Sequence, residues 1–316
     1  MTRILANDGI HPAGQEKLEA AGFEVVTEKV PQDDLAAELP NYDAVCVRSA
    51  TKIRTDVIDA ALPRLKVIGR GGVGLDNIDV EYARDRGVTV VNTPAASSRA
   101  VAELAFAHAM GLARGLHRAN AELPAGGDFK ALKKALAGGF QFEGATLGVV
   151  GLGRIGRAAA RIGLGLGMRV IGSDPFQKHV DIELEIQGLG TPPVIRLTSM
   201  PLAELLEKAD VVTLHVPAQD GGPVIGPEEM RSVKRGAILV NTARGGLIDE
   251  ATLLEALDSG QVAGAGLDVF VGEPTPDERL LTHARTSVSP HVGAATGEAQ
   301  RLIGVELADQ LIEILG

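Results

Sequence analysis

The chain has a single cysteine in 316 residues, so no intrachain disulfide is possible and no cysteine cluster can hold a metal. That residue, Cys46, lies inside the apolar run Ala44-Val45-Cys46-Val47, which predicts a buried, inert thiol. Long apolar runs are also missing. Nowhere do 18 apolar residues follow one another, and the opening MTRILANDGIHPAG has no apolar core of a signal peptide, so neither membrane insertion nor export is expected. Basic charge is in deficit: 31 Lys and Arg against 41 Asp and Glu give a net charge of −10. That balance argues against non-specific binding to nucleic acid or anionic membrane, because both need a basic surface, and it makes any anion site a local one. Short repeats and low-complexity tracts are absent. What remains, 45% hydrophobic and 23% charged, is the composition of a soluble protein long enough for two domains with cores of their own, expected in the cytoplasm.

The most informative stretch is Ala145 to Asp174. A short apolar run, Leu147 to Val150, ends in Gly151-Leu152-Gly153-Arg154-Ile155-Gly156; an amphipathic segment follows, and a second run, Val170 to Ser173, ends at Asp174. This is the order strand, glycine turn, helix, strand, acid of a dinucleotide site. Gly151 permits the tight turn, Gly153 lets the backbone approach a pyrophosphate, and Gly156 lets helix and strand pack closely. The helix N-terminus offers free N–H groups to the anion. Asp174 can accept from both hydroxyls of an adenosine ribose and would repel a 2′-phosphate, which favours NAD over NADP. Three glycines among 39 could also be plain turn residues, but the flanking strand, helix and acid favour the dinucleotide.

Before this stretch, apolar runs alternate with helical patterns from Arg3 to Val91, the signature of a parallel α/β layer and a first small domain. A long helical pattern from Ser98 to about His117 is apolar on more than one face. The lysine-bearing segment from Pro124 to Gly139 reads as a solvent-facing connection, and Gln177 to Ser199 has only weak periodicity. Beyond it the alternation resumes, with helices at 202–208, 228–233 and 250–258 and strands at 211–214, 237–240 and 264–267. A strand at Ser287-Val288 and a closing helix, Ala299 to Ile314, end the chain.

Candidate chemistry sits just beyond strand ends. In the first domain Arg48 and Arg70 follow neighbouring strands, and Gly71, Gly72 and Gly74 let backbone come close to a ligand. They read either as a site for a polyanionic substrate or as surface arginines beside a glycine turn. In the second half, Arg244, Glu273 and His291 follow three strands. Arginine suits a carboxylate clamp, because its planar fork pairs bidentately. Histidine suits proton exchange with a hydroxyl, and a neighbouring glutamate would stabilise the imidazolium. From residue types alone, each of the three could equally be structural.

In combination the segments VRSATK (Val47 to Lys52), GRGGVGLDNID (Gly69 to Asp79), NTP with VAELA, GLGRIG, HVP (His215 to Pro217), NTARGGLIDE, AGLDVF with the following EP, and SPHVGAAT (Ser289 to Thr296) resemble those of the D-isomer-specific 2-hydroxyacid dehydrogenases. They cover nearly the whole chain in family order, and in detail they are most similar to the phosphoglycerate-oxidising branch. The resemblance implies two doubly wound α/β domains: a Rossmann-type NAD domain, 96–287, inserted into a flavodoxin-like substrate domain, 1–95 with 288–316. It implies Arg244, Glu273 and His291 as the catalytic set, with His291 the proton donor. The NAD contacts it implies are Val73, Gly151, Gly153, Arg154, Ile155, Gly156, Asp174, Val216, Thr242, Ala243, Arg244, Asp268, His291, Gly293 and Ala294. Substrate would be held by Arg48, Arg70, Gly72, Val73, Arg244 and His291, with the phosphate between Arg48 and Arg70. No metal is implied.

The activity so implied is NAD-dependent oxidation of 3-phospho-D-glycerate to 3-phosphohydroxypyruvate, the first step of serine synthesis, with domain closure during turnover. The Ser98 to His117 helix resembles a dimerisation element, so a homodimer is expected. Two departures stand out. The chain stops at Gly316, so C-terminal regulatory domains of some relatives are not expected, and Ser173 stands where an aromatic often precedes the acid. The rival readings are a glyoxylate or hydroxypyruvate reductase, which needs no phosphate site, and an NADH-sensing binding protein.

Overall fold

The alternation of apolar runs and helical patterns folds as two separate parallel sheets. The computed structural model describes residues 1–218 and 221–316. In chain order come β1 (Arg3–Ala6), α1 (Pro12–Ala20), β2 (Glu24–Val26), α2 (Leu35–Glu38), β3 (Ala44–Val47), α3 (Thr55–Ala61), β4 (Val67–Arg70), α4 (Val80–Asp85) and β5 (Thr89–Asn92). Next are α5 (Ser98–Ala113), α6 (Leu116–Glu122), α7 (Phe129–Ala135), β6 (Thr146–Val150), α8 (Arg154–Gly165), β7 (Arg169–Ser173), β8 (His179–Glu183) and β9 (Val194–Thr198). The rest is α9 (Leu202–Lys208), β10 (Val211–Leu214), α10 (Pro227–Ser232), β11 (Ala237–Asn241), α11 (Glu250–Asp258), β12 (Val262–Leu267), α12 (Glu278–Thr282), β13 (Thr286–Val288) and α13 (Gly297–Leu315).

The first unit is Met1–Ala100 with Ala294–Gly316. Its sheet runs β2-β1-β3-β4-β5, every pair parallel, the strand order of flavodoxin-like folds. Alternate residues of β1 feed opposite cores: Ile4 and Ala6 join Leu307 and Leu311 of α13, while Leu5 joins Val57 and Ile58 of α3. A strand buried on both faces requires this. Cys46 faces the α13 side, fully buried, and burial pushes its thiol up to about 12, as an inert group should be.

The second unit, Val101–Gly293, is a Rossmann-type domain with the parallel order β13-β12-β11-β10-β6-β7. Helices α5 and α8 cover one face and α9, α10 and α11 the other. Both crossings between the units fall later than the sequence reading placed them. The stretch 288–293 stays with the second unit because Ser289 N donates to Leu267 O, and Val292 and Gly293 donate to the Asp268 carboxylate.

Three segments differ from expectation. The helix opening at Ser98 stops at Ala113, because Gly115 turns left-handed (φ 61°) and starts α6 in a new direction. Within the expected connection at 124–139, α7 forms because Asp128 caps it: its Oδ1 accepts from Lys130 N at 2.8 Å and Ala131 N at 3.1 Å. The weakly periodic 177–199 holds the antiparallel ribbon β8–β9, which buries Val180, Ile182 and Leu197 in the core that contains Leu152.

Candidate active site

In the second sheet the strand order reverses between β6 and β10, so their following loops part and leave a crevice at the carboxyl edge. The three fingerprint glycines differ in what surrounds them. Gly151 has φ 92°, and a Cβ on it would lie 2.6 Å from His215 O; a Cβ on Gly156 would lie 1.9 Å from Gly151 O. Gly153 differs, since nothing lies within 4 Å of where its Cβ would be. Two glycines are thus needed for packing, and the third faces open space where a pyrophosphate can meet the start of α8. Arg154 is exposed and Ile155 half-buried on that first turn, and Val216 follows β10 on the far wall.

Asp174 follows β7. Its Oδ2 accepts from Leu152 N at 2.8 Å, and its Oδ1 from Phe176 N at 2.8 Å and Gln177 N at 3.1 Å. Three backbone donors hold this carboxylate beyond β7 and leave Oδ2, with one donor, room for another, so the residues present fit a dinucleotide with an unphosphorylated ribose. His215 lines the same turn as a neutral ring: its Nε2 is 3.0 Å from Thr213 Oγ1, and burial holds its pKa down to about 3.

The loops bearing Arg244, Glu273 and His291 leave adjacent strands at one level, because Asn241 pairs with Leu267 and Leu267 with Val288. After β11, the Asn241 side chain braces the turn, accepting from Ala243 N at 3.1 Å and donating to Arg244 O at 2.8 Å; Arg244 Nη1 donates to Ala243 O at 2.6 Å. Thr242 is buried beneath this turn. After β12, Glu273 Oε1 accepts from Phe270 N at 2.9 Å, while its Oε2 lies 2.8 Å from His291 Nδ1. A carboxylate only accepts, so Nδ1 carries the proton and a neutral His291 presents the Nε2 lone pair. Beside the pair opens a cavity of about 400 Å³ lined by Phe270, Pro276, Leu281 and Pro290 among others. Of the expected contacts, Asp268 is 0% exposed, and both its carboxylate oxygens are engaged by the 289–293 loop. In this structure its side chain positions that loop rather than facing a cofactor. Gly293 is held in the same loop, and Ala294 belongs to the first unit.

In the first unit Val47 and Arg70 are register partners, which sets Arg48 one residue beyond β3 and Arg70 at the last position of the neighbouring β4. The Arg48 turn is clamped by two residues that the sequence reading missed. Asp8 Oδ2 accepts from Arg48 N at 2.7 Å and Thr51 N at 3.0 Å, while Asn77 Nδ2 donates to Arg48 O at 2.7 Å and Thr51 O at 2.6 Å. Arg48 lines a cavity of about 260 Å³ together with Asp8, His11, Gly71 and Gln300. Arg70 folds back over its own loop, its Nη1 donating to Gly71 O at 3.2 Å; it fits there because Gly72, at φ 138°, has no Cβ to meet it. Val73 stands exposed on that loop, its carbonyl bound by Asn92 Nδ2 at 2.7 Å. Asp8 follows β1 on the same sheet edge, the one cue that could have drawn notice to it. Among the described residues no three His, Cys, Asp or Glu side chains converge as metal donors, and no helix is long and apolar enough to cross a membrane.

Comparison with known proteins shows the family. Residues 106–293 match the model of the D-isomer specific 2-hydroxyacid dehydrogenase NAD binding domain. The chain is 40% identical to a hydroxypyruvate reductase of Thermotoga maritima over 99% of its own length and 98% of that protein. It is 42% identical to a D-3-phosphoglycerate dehydrogenase of Methanocaldococcus jannaschii over its whole length, and spans 58% of that longer chain. A solved structure from Thermus thermophilus superposes with a TM-score of 0.84 at 32% identity, covering 99% of this chain and 97% of the other.

Proposed function

Because the chain belongs to the D-isomer-specific 2-hydroxyacid dehydrogenases, NAD-dependent oxidoreductases, we propose that it oxidises 3-phospho-D-glycerate to 3-phosphohydroxypyruvate, the entry into serine synthesis. When bound, NAD supplies the acceptor for the hydride that leaves C2 of the hydroxy acid. The chain's own residues do the rest. Gly151, Gly153, Gly156 and the α8 N-terminus take the pyrophosphate, with Arg154, Ile155, Val216, Thr242 and Ala243 around the crevice, and Asp174 takes the ribose hydroxyls. Arg244 clamps the substrate carboxylate. His291 takes the hydroxyl proton at Nε2, and Glu273 stabilises the imidazolium that forms. In the reverse direction the same proton is returned to the ketone oxygen.

The choice of a phosphorylated substrate rests on one observation: a positively charged side chain, Arg48, on a turn fixed at both ends, lining a cavity of about 260 Å³ at the carboxyl edge of the first sheet. Arg70 and the backbone of Gly72 and Val73 would complete that phosphate and carboxylate environment. The deciding experiment follows NADH oxidation with phosphohydroxypyruvate, hydroxypyruvate and glyoxylate, on wild type and Arg48→Ala. Preference for the phosphorylated ketone that collapses in the variant supports the reading. Equal rates unaffected by the variant would overturn it. A hydroxypyruvate reductase is the second reading, favoured by the relative of matching length that carries that name.

The protein is further inferred to act as a cytoplasmic homodimer. Met110 on α5, Leu116 on α6 and Phe129 on α7 leave apolar surface exposed in the second unit, which supports a contact between copies there. Sedimentation of the purified protein tests this.

A further inference from the structure

The interior of the second unit contains a chain of hydrogen bonds that the proposed chemistry leaves unused. His108, on α5, is buried. Its Nδ1 lies 2.8 Å from Ser287 Oγ and its Nε2 2.9 Å from Ser289 Oγ. Ser289 Oγ donates to Asp268 Oδ1 at 2.6 Å, and the same oxygen accepts from Val292 N at 2.8 Å. Asp268 Oδ2 accepts from Gly293 N at 2.8 Å, and Asp268 O from His291 N at 2.9 Å.

Counting protons fixes the direction of every bond. A carboxylate only accepts, so the one hydroxyl proton of Ser289 goes to Asp268. Ser289 Oγ must then accept from His108, which puts the imidazole proton on Nε2. Burial lowers the pKa of His108, with Asp268 opposing the shift, so the ring is neutral and has one N–H. Nδ1 therefore accepts from Ser287. All donors point the same way, from Ser287 through His108 and Ser289 to Asp268, an arrangement in which each bond polarises the next.

The sheet is shaped for this ring. A Cβ on Gly266, the last residue but one of β12, would lie 2.6 Å from His108 Cβ, so only glycine lets the imidazole reach the serines. The loop at the end of the chain also needs holding. His291 has φ 55°, the one non-glycine residue with positive φ among the described residues, a conformation that persists only where its surroundings determine it.

We propose that His108 is a positioning residue for His291: through Ser289 and Asp268 it fixes the 291–293 backbone so that the imidazole stays on Glu273. This rests on the reading of His291 as the proton-exchanging group, and its test separates the two. The first readout needs no substrate. Amide hydrogen exchange at Val292 and Gly293 is expected to quicken about tenfold or more in His108→Leu and in Ser289→Ala, and much less in His108→Gln, which keeps a donor. Unchanged protection in both disruptive variants overturns the proposal.

The second readout is kcat with the best of the three ketones, with NADH affinity measured by fluorescence as the check on folding. Each single variant is expected to lose about tenfold in kcat with NADH affinity kept, and the double variant His108→Leu with Ser289→Ala no more than either single, because both cut one chain. A double loss equal to the product of the singles, or exchange that quickens with no loss of kcat, overturns it. A wild type that turns over none of the ketones would sink the proposed function, and the exchange result alone would then decide whether His108 holds this loop.

Discussion

His291 Nδ1 lies 2.8 Å from Glu273 Oε2, and the other oxygen of that carboxylate is held by Phe270 N at 2.9 Å. The imidazole is thus anchored through one nitrogen to a group itself anchored to backbone. Replacing His291 with alanine is expected to cut kcat by roughly 10²–10⁴, the usual worth of a positioned acid–base group. Glu273→Gln keeps an acceptor for Nδ1–H but not the charge that stabilises the imidazolium. It is expected to lose less than His291→Ala. Steady-state rates across pH, with NADH titrations showing retained binding, check both; near-normal turnover in His291→Ala would remove its role.

Arg48 depends on Asp8, which accepts from Arg48 N at 2.7 Å and from Thr51 Oγ1 at 2.7 Å. If this turn reads a phosphate, Asp8→Ala should raise KM for phosphohydroxypyruvate about tenfold or more while leaving glyoxylate kinetics nearly untouched, as loss of a fixed charge-assisted contact of ~1.5–3 kcal/mol implies. Equal effects on both ketones would mean that Asp8 serves the fold and not phosphate recognition.

Two glycines of one fingerprint should fail differently. A methyl on Gly156 would sit 1.9 Å from Gly151 O, so Gly156→Ala must push the helix off the strand, at a cost of roughly 1–3 kcal/mol or more. A methyl on Gly153 meets nothing within 4 Å, and Gly153→Ala should therefore fold normally while binding NADH at least tenfold more weakly, a loss of ~1.4 kcal/mol. Thermal melting and NADH titration separate the two. Unimpaired binding in Gly153→Ala would show that the pyrophosphate does not approach there.

Much of the fold was legible in the residues alone because periodicity carries it. Apolar runs of four or five residues mark strands buried on both faces, and the candidate residues Arg244, Glu273 and His291 stand in the loops that follow β11, β12 and β13. The ribbon β8–β9 carries a period-2 signal in and just beyond its first strand, where Val180, Ile182, Leu184 and Ile186 alternate with polar residues, but Gly188, Gly190, Pro192 and Pro193 before β9 obscured it. For α7 the pattern was masked by its lysines, with Leu132 as its one buried residue. Partners far apart in sequence stay invisible to any local pattern: His108 meets Ser289 across 181 positions, and Asp8 meets Arg48 across 40. The unit boundary at 293 was missed for the same reason, since the bonds to Asp268 that retain 289–293 are tertiary.

The half-buried His215, its Nδ1 closed off from solvent, gives the fold an acid-side weakness. Its pKa is held down to about 3 in the folded chain by burial, against about 6.5 for a free imidazole. Below the free value the unfolded chain binds a proton that the folded one does not, so stability is lost as pH falls. Its contribution is fully present above about pH 6.5, declines by at most about 1.4 kcal/mol per pH unit below that, and levels off near the folded pKa. His108, lowered in the same direction, adds to the slope. Urea unfolding between neutral pH and pH 4 should show this decline in wild type, and a shallower one in His215→Gln, which cannot take up the proton. Identical slopes would mean that His215 is free to protonate in the native chain and that the wall beside Gly151 admits water.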